Sequence, residues 1–143
     1  MNEPRESYIA EVHRAVHALG LFLDARTAGA VTQPEALILA HLAEHGPATM
    51  NMLHRAFLHR RSTLTNVIDR LETRELVKRR TADEDRRSLV VELTRAGRAQ
   101  ARAITRALGE LRAVVERGRK EPELTAHTDF LHALAQAASG MAR

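Results

Sequence analysis

The sequence contains no cysteine and no tryptophan, and only 3% of its 143 residues are aromatic. Without cysteine the chain can form no disulfide, no thiolate zinc site, no catalytic thiol and no cysteine-based peroxide sensor. Glycine and proline are scarce, at seven and four residues, whereas alanine, leucine and arginine are abundant. This composition favours helices over strands, and a chain of this length buries a core without a metal or a disulfide.

Long apolar runs are absent as well. The first residues are charged, and no stretch approaches the roughly 20 apolar residues of a membrane span. The sequence has no glycine-rich phosphate loop and no nucleophile elbow. We therefore expect a cytoplasmic protein that is neither a membrane protein nor an enzyme and that carries no cofactor.

The formal net charge of +4 comes from the middle of the chain. Residues 55–87 hold ten basic and six acidic side chains, whereas the rest of the chain holds twelve of each. A basic segment by itself is more often a solvated surface than a binding site. A positive field confined to one segment is nevertheless what is expected if that segment meets a polyanion.

Apolar residues recur at three- and four-residue intervals in six segments, which predicts six helices. These helices are expected at about residues 6–25, 33–45, 50–57, 61–73, 95–118 and 123–138. Thr32 and Glu35 form a capping-box pattern, and Thr49 and Thr94 are the expected N-caps of the third and fifth helices. Between the fourth and fifth helices two strands are predicted, 77–81 and 88–94, and in the second of them Leu89, Val91 and Leu93 alternate with other residues.

The fourth predicted helix has a polar free face that suits the major groove of DNA. Its first turn carries Arg61, Ser62 and Thr63, and free backbone N–H groups at a helix start favour a phosphate. These three residues are therefore expected to position the helix on phosphates. The apolar residues expected on the opposite, buried face are Leu64, Val67, Ile68 and Leu71.

One turn further along this helix, the polar side chains are placed to reach base edges. Asn66 is the leading base reader, because its amide offers both a donor and an acceptor to adenine. Thr65 is the second candidate, and Arg70 completes the DNA-binding set on this helix.

The loop between the two predicted strands supplies another candidate contact. Asp85, Arg86 and Arg87 follow one another there. A carboxylate can brace one arginine while the other extends into the narrow minor groove. Either Asp85 braces Arg87 with Arg86 at the tip, or the two arginines exchange these roles.

Four runs of the sequence resemble, in register, the signature of the MarR family of bacterial transcriptional regulators. They are RSTLTNVIDRLE (61–72), LVKR (76–79), DRR (85–87) and LTRAG (93–97). The resemblance extends over nearly the whole chain, because the flanking helices agree in length and order. It implies a homodimer built from the N- and C-terminal helices, and often a small aromatic or phenolic ligand bound near them. The first helix has little intrachain core to cover, which independently favours a dimer interface.

Two positions depart from the family pattern. Glu75 stands where the family usually has glycine before the leucine-valine pair, and Leu58 stands near the small residue of the usual turn. The backbone at Glu75 is expected either to be strained or to end the helix differently. The departure bears on the angle of the hairpin rather than on its existence.

Two histidine pairs suggest either a metal site or a ligand pocket. His13 with His17, and His41 with His45, are four residues apart on predicted helices, which places two imidazoles on one face. No third metal ligand can be identified from the sequence, so no metal is expected. The same four histidines are candidates for lining an effector pocket near the dimer helices.

The sequence therefore predicts a mainly α homodimer with a winged helix-turn-helix and a two-stranded β wing. Residues 1–30 and 96–143 are expected to dimerise, and residues 31–95 are expected to bind DNA. The expected partner is a pseudo-palindromic operator in double-stranded DNA, bound by a repressor that a small molecule releases. The alternative is a basic helical adaptor for protein or RNA, which would not prefer such an operator over scrambled duplex.

Overall fold

A computed structural model describes residues 7–82 and 88–142 of the chain. Six helices and three short strands follow one another within these residues. They are α1 (Tyr8–Thr27), α2 (Gln33–His45), β1 (Ala48–Thr49), α3 (Met50–Phe57), α4 (Arg61–Thr73), β2 (Val77–Thr81), β3 (Leu89–Leu93), α5 (Arg95–Glu116) and α6 (Glu121–Met141). The prediction of a mainly α winged helix-turn-helix is confirmed. The last helix begins at Glu121 rather than at the expected residue 123, because Pro122 belongs to the first turn of α6, where no helical hydrogen bond needs its missing N–H.

One strand of the sheet was not predicted. Ala48 and Thr49 pair with Val91 and Val90, so β1 joins the hairpin and the sheet has the order β1-β3-β2. Two residues are too few to show an alternating pattern. Thr49 also caps α3 as expected, since its Oγ1 accepts a hydrogen bond from the N–H of Met52 at 3.2 Å.

The chain divides into two compact units, Met1–Ala107 and Leu108–Arg143. The first unit contains the hydrophobic core, in which α2, α4 and the sheet contribute most of the buried apolar side chains. The largest fully buried ones are Leu23, Ile38, Leu39, Leu53, Leu64, Ile68, Leu71, Val77, Val91 and Ile104. In the second unit, α6 has no buried residue in the described part of the chain. None of the described helices combines the length and the apolar character that crossing a membrane requires.

The start of α5 lies directly against the turn between α4 and β2. Thr94 Oγ1 is 2.6 Å from the carbonyl oxygen of Glu75 and accepts the N–H of Gly97 at 2.9 Å, which confirms Thr94 as the N-cap. A Cβ added to Gly97 would stand 1.8 Å from the carbonyl oxygen of Leu76. Only glycine therefore allows this approach of helix to backbone.

Both departures from the family pattern lie in the left-handed region of the backbone. Glu75 has φ +57° and Leu58 has φ +53°. At Glu75 the chain forms a Schellman motif, in which Leu76 N–H donates to Leu71 and Glu75 N–H donates to Glu72, both at 2.9 Å. The turn usually made by glycine thus forms with glutamate, at a conformational cost of about 1–2 kcal/mol.

We expect Gly97→Ala to destabilise the protein by about 1–3 kcal/mol, because the added methyl group cannot fit against the carbonyl of Leu76 without moving α5. Gly109→Ala is the matched control, since nothing lies within 4 Å of its Cβ position in the same helix. The control should be neutral or gain up to about 1 kcal/mol of helix propensity. Urea denaturation measures both, and equal effects of the two substitutions would contradict the close approach.

Candidate nucleic-acid interface

α4 buries one face and exposes the other. The buried residues are Leu64, Val67, Ile68 and Leu71, as the sequence predicted. The exposed ones include all six candidates for DNA contact on this helix: Arg61, Ser62, Thr63, Thr65, Asn66 and Arg70. A continuous polar surface therefore runs along α4 from its first turn.

The N-terminus of α4 is open to an external acceptor. Its N-cap residue, Arg60, makes no side-chain hydrogen bond to the first turn. The first N–H groups of a helix have no partner within the helix and carry the positive end of its dipole. Thr65 Oγ1 donates to the carbonyl of Arg61 at 2.9 Å, so this hydroxyl oxygen is left as an acceptor for a base or a water.

The C-terminal half of α4 is fixed by a buried carboxylate. Glu35 has a side-chain exposure of only 3% and pairs with Arg70 Nε at 3.0 Å and with Arg74 Nη1 at 3.2 Å. Its Oε2 also accepts the N–H of Thr32 at 2.8 Å, which confirms the glutamate half of the predicted capping box. Arg74 donates to the carbonyl of Ala30 as well. Glu35 thus joins the start of α2 to the end of α4.

On its other side, α4 is paired with the first strand of the hairpin. Arg79 forms ion pairs with Glu72 and, at 2.6 Å, with Asp69. Both acidic side chains of α4 are therefore occupied by a strand residue.

The other two cations of this strand contact the neighbouring strand. Lys78 and Arg80 lie 3.0 and 2.8 Å from the carboxylate of Glu92 on β3. Hydrogen bonds from Arg80 and then Lys78 lower the pKa of the Glu92 carboxyl. Much of the basic character that the sequence shows in this region is consequently neutralised within the fold.

Three arginines near the helix-turn-helix are not neutralised in this way. Arg55, Arg60 and Arg61 are exposed, and none of them has an acidic partner among residues 7–82 and 88–142. The sequence reasoning selected Arg61 but missed Arg55 and Arg60. The basic count of residues 55–87 included them, yet only the fold separates paired from unpaired arginines.

The candidate contacts of the wing loop, Asp85, Arg86 and Arg87, lie outside the described residues. Their assignment stays a prediction from the sequence.

The histidine candidates occupy two different surroundings. His13 and His17 are exposed on α1. The His41 ring lies 4.5 Å from that of His45 and 5.3 Å from that of Phe57, measured between centroids. Burial and the neighbouring His45 lower the pKa of His41. In the described part of the chain, no group of three or more potential ligand residues is arranged to hold a metal.

We expect the free energy of unfolding to fall as the pH is lowered below about 6.5, because His41 takes up a proton more readily in the unfolded chain. The stability that neutral His41 contributes to the folded chain is complete above this pH. It is lost as the pH falls toward the pKa of His41 in the folded chain, which is lowered. His41→Gln should flatten the dependence between pH 7.5 and 5.5 relative to the unmodified chain. Urea titrations at several pH values measure the free energy of unfolding. An unaltered dependence of this free energy on pH in His41→Gln would refute the attribution to His41.

Glu35→Ala should cost about 1–3 kcal/mol, since it removes the capping acceptor and leaves two arginines without their carboxylate. Glu35→Gln preserves the shape and one acceptor oxygen, and we expect a smaller loss. Glu44→Ala serves as control, because Glu44 is exposed. Its carboxylate lies 3.8 Å from His45 Nε2, and this ion pair is long and solvent-exposed and should contribute little to stability. Denaturant melts of the three variants test this order, and a loss in Glu35→Ala no larger than in the control would contradict it.

A family model described as MarR family matches residues 31–88, which span α2 to the end of the hairpin loop. The HTH-type transcriptional repressor NicR of Pseudomonas putida is 35% identical over 69 residues, which are 48% of this chain and 44% of the repressor. Residues 31–88 of this chain are thus similar to the MarR family. The match covers less than half the length of this curated relative. NicR is named a repressor rather than an enzyme, in agreement with the expectation of a non-enzymatic regulator.

Solved structures resemble this chain over most of its length. MepR of S. aureus in its DNA-binding conformation has a TM-score of 0.81 and 20% identity, covering 92% of this chain and 98% of its own. BpsR of Bordetella bronchiseptica, whose DNA binding is regulated by 6-hydroxynicotinic acid, has a TM-score of 0.73 and 20% identity, covering 94% and 97%. At these identities the likeness is one of fold, and the fold is that of a winged helix.

Proposed function

We propose that this chain is a regulator of transcription of the MarR type and that it binds double-stranded DNA in a sequence-specific manner. One observation carries the proposal. Arg60 and Arg61 stand at the open N-terminus of a helix whose free face is polar, and Arg55 is exposed on the preceding helix. None of the three has an acidic partner among the residues that the structure describes. This is the arrangement that a phosphate backbone and a major groove require.

Phosphate contacts are assigned to the start of α4. Arg61, Ser62 and Thr63 combine a cation, two short hydroxyls and the backbone N–H groups of the first turn. Arg55 and Arg60 extend this positive surface toward α3. Contacts of this kind set the register of the protein on DNA without reading sequence.

Base reading is assigned to Asn66 and Thr65, which are exposed on the same face one turn further along. Asn66 can donate to and accept from one adenine edge. Thr65, whose proton is directed to a backbone carbonyl, can only accept. The Nε of Arg70 donates to Glu35, so we assign this side chain first to holding α4 in place. Only its remaining N–H groups are assigned to DNA. Asp85, Arg86 and Arg87 are assigned to the minor groove on the sequence argument alone.

A homodimer follows from exposed apolar surface. Ile9, Val16 and Leu21 are half-exposed or more on α1, and Phe130 and Leu131 are about half-exposed on α6. Apolar faces of this extent on long helices call for a partner surface. We assign dimerisation to residues 1–30 and 96–143, with residues 31–95 as the DNA-binding domain.

Such a dimer would place two copies of α4 in successive major grooves of a pseudo-palindromic operator. Half-sites then lie about one helical turn, roughly 10 base pairs, apart. Occlusion of a promoter by the bound dimer makes the protein a repressor, and this action places it in the cytoplasm with the chromosome.

Control by a small molecule completes the proposal. A small aromatic or phenolic effector would release the operator if it binds better to a conformer with unsuitable spacing of the two α4 helices. BpsR, with its response to 6-hydroxynicotinic acid, supports this only as a fold relative. The pocket residues assigned to the effector are His13, His17, His41 and His45.

Selection of sequences from a random duplex pool by the purified protein, with its mass measured in solution, tests the proposal. We expect a dimer that enriches a two-fold symmetric site. Binding without enrichment of any sequence would overturn the proposal of a sequence-specific regulator. It would favour a basic adaptor, which has no operator.

Two kinds of variant separate base reading from phosphate contact. Asn66→Ala should relax the preference at particular base pairs by about 1–3 kcal/mol. Arg60→Gln should weaken binding to all sequences and reduce the slope of the logarithm of the binding constant against the logarithm of the salt concentration by about 1. Arg106→Gln, the same charge change on α5, is the control. Binding of operator and scrambled duplex at several salt concentrations gives both quantities. Equal losses on the two duplexes for Asn66→Ala would remove it as a base reader.

A further inference from the structure

A second basic site lies away from α4. A surface cavity of about 620 Å³, open to solvent, is lined by the end of α2, the two hairpin strands and the first turns of α5. Its apolar wall includes Leu42, Pro47 and Leu93. This volume is within the range of sites that hold small organic ligands.

Most of the charged residues that line the cavity are cationic. Arg95, Arg98 and Arg102 line it from one face of α5, where residues three and four apart are neighbours, and Lys78 lines it from β2. The lining contains one carboxylate, that of Glu92. Four positive charges thus face a single negative one.

Two of these cations are already held in place. Arg98 Nη1 donates to the carbonyl of Leu93 at 2.9 Å, and Lys78 lies 3.0 Å from Glu92. Arg95 and Arg102 have no acidic partner within residues 7–82 and 88–142. Like charges at this helical spacing destabilise a helix unless an anion lies between them.

The cavity is separate from the proposed DNA-binding face. Successive side chains of a strand point to opposite faces, and Arg79 contacts Asp69 and Glu72 of α4. Its neighbour Lys78 therefore lies on the other face of β2, with the cavity. No described residue of α3 or α4 lines it.

We propose that this cavity binds a small organic phosphate that carries at least two negative charges. The phosphate would be held by the arginines of α5, whose planar guanidinium groups match phosphate oxygens in pairs. The organic part would cover the apolar wall at Leu42 and Leu93. A monocarboxylate would leave two of the three arginines uncompensated, which is why the charge favours a phosphate. The site stands whether or not the chain binds DNA.

Phenyl phosphate is the probe for this site, because at pH 7.5 it is largely a dianion and it carries one apolar ring. Inorganic phosphate has the same charge without the ring, and benzoate has the ring with one charge. We expect calorimetry on the full chain to show phenyl phosphate binding at least about tenfold more tightly than either, or about 1.4 kcal/mol. Amide NMR shifts should change at residues 42–47 and 92–98.

The double variant R95Q/R102Q should lower the affinity for phenyl phosphate by about tenfold or more. Both side chains are exposed, so we expect the fold to be retained, which circular dichroism checks. R106Q/R117Q removes the same charge from positions that do not line the cavity and should leave the affinity within about twofold of the unmodified chain.

Three outcomes would overturn the proposal. Equal losses in the two double variants would mean that binding follows net charge alone. Shifts confined to other residues would place the ligand elsewhere. Equal affinity for inorganic and phenyl phosphate would show that the apolar wall takes no part and that the ligand is phosphate itself.

Discussion

The position of α4 depends on one buried carboxylate. Glu35 is removed from water, and a charge in that situation is tolerated only when it is paired and hydrogen-bonded. It meets this requirement with the backbone of Thr32 and with two arginines, Arg70 and Arg74, from the end of α4. The same group therefore starts α2 and orients α4. The side chains of α4 that are proposed to read bases, Asn66 and Thr65, depend on this junction for their direction.

The ion pairs also determine where the positive field is left. Near the C-terminus of α4 the charged side chains have partners of opposite charge. Arg70 pairs with Glu35 on one side of the helix, and Asp69 and Glu72 pair with Arg79 on the other. At the N-terminus of α4, Arg60 and Arg61 have no acidic partner within residues 7–82 and 88–142. A surface that is neutral at one end of the helix and positive at the other directs a polyanion to the end where backbone N–H groups are free.

The sheet separates two basic surfaces. Alternation along β2 sends Arg79 toward α4 and Lys78 toward the cavity beside α5. The close approach of Gly97 to Leu76 brings the start of α5, with its arginines, against the hairpin. One face of the hairpin thus supports the helix proposed for DNA, and the other faces the cavity proposed for an organic phosphate.

The sequence alone determined the helices, the hairpin and the caps at Thr32, Thr49 and Thr94, because periodicity and capping are local properties of a few neighbouring residues. It also identified the polar face of α4, since the burial of Leu64, Val67, Ile68 and Leu71 leaves only one free face. It did not find β1, whose pairing with β3 joins distant residues. Above all, it could not tell that Arg70 and Arg79 are paired while Arg55 and Arg60 have no acidic partner in the described part of the chain. Their partners are 35 residues away in one case and 7 to 10 in the other, so only the tertiary structure decided which charges remain for a ligand.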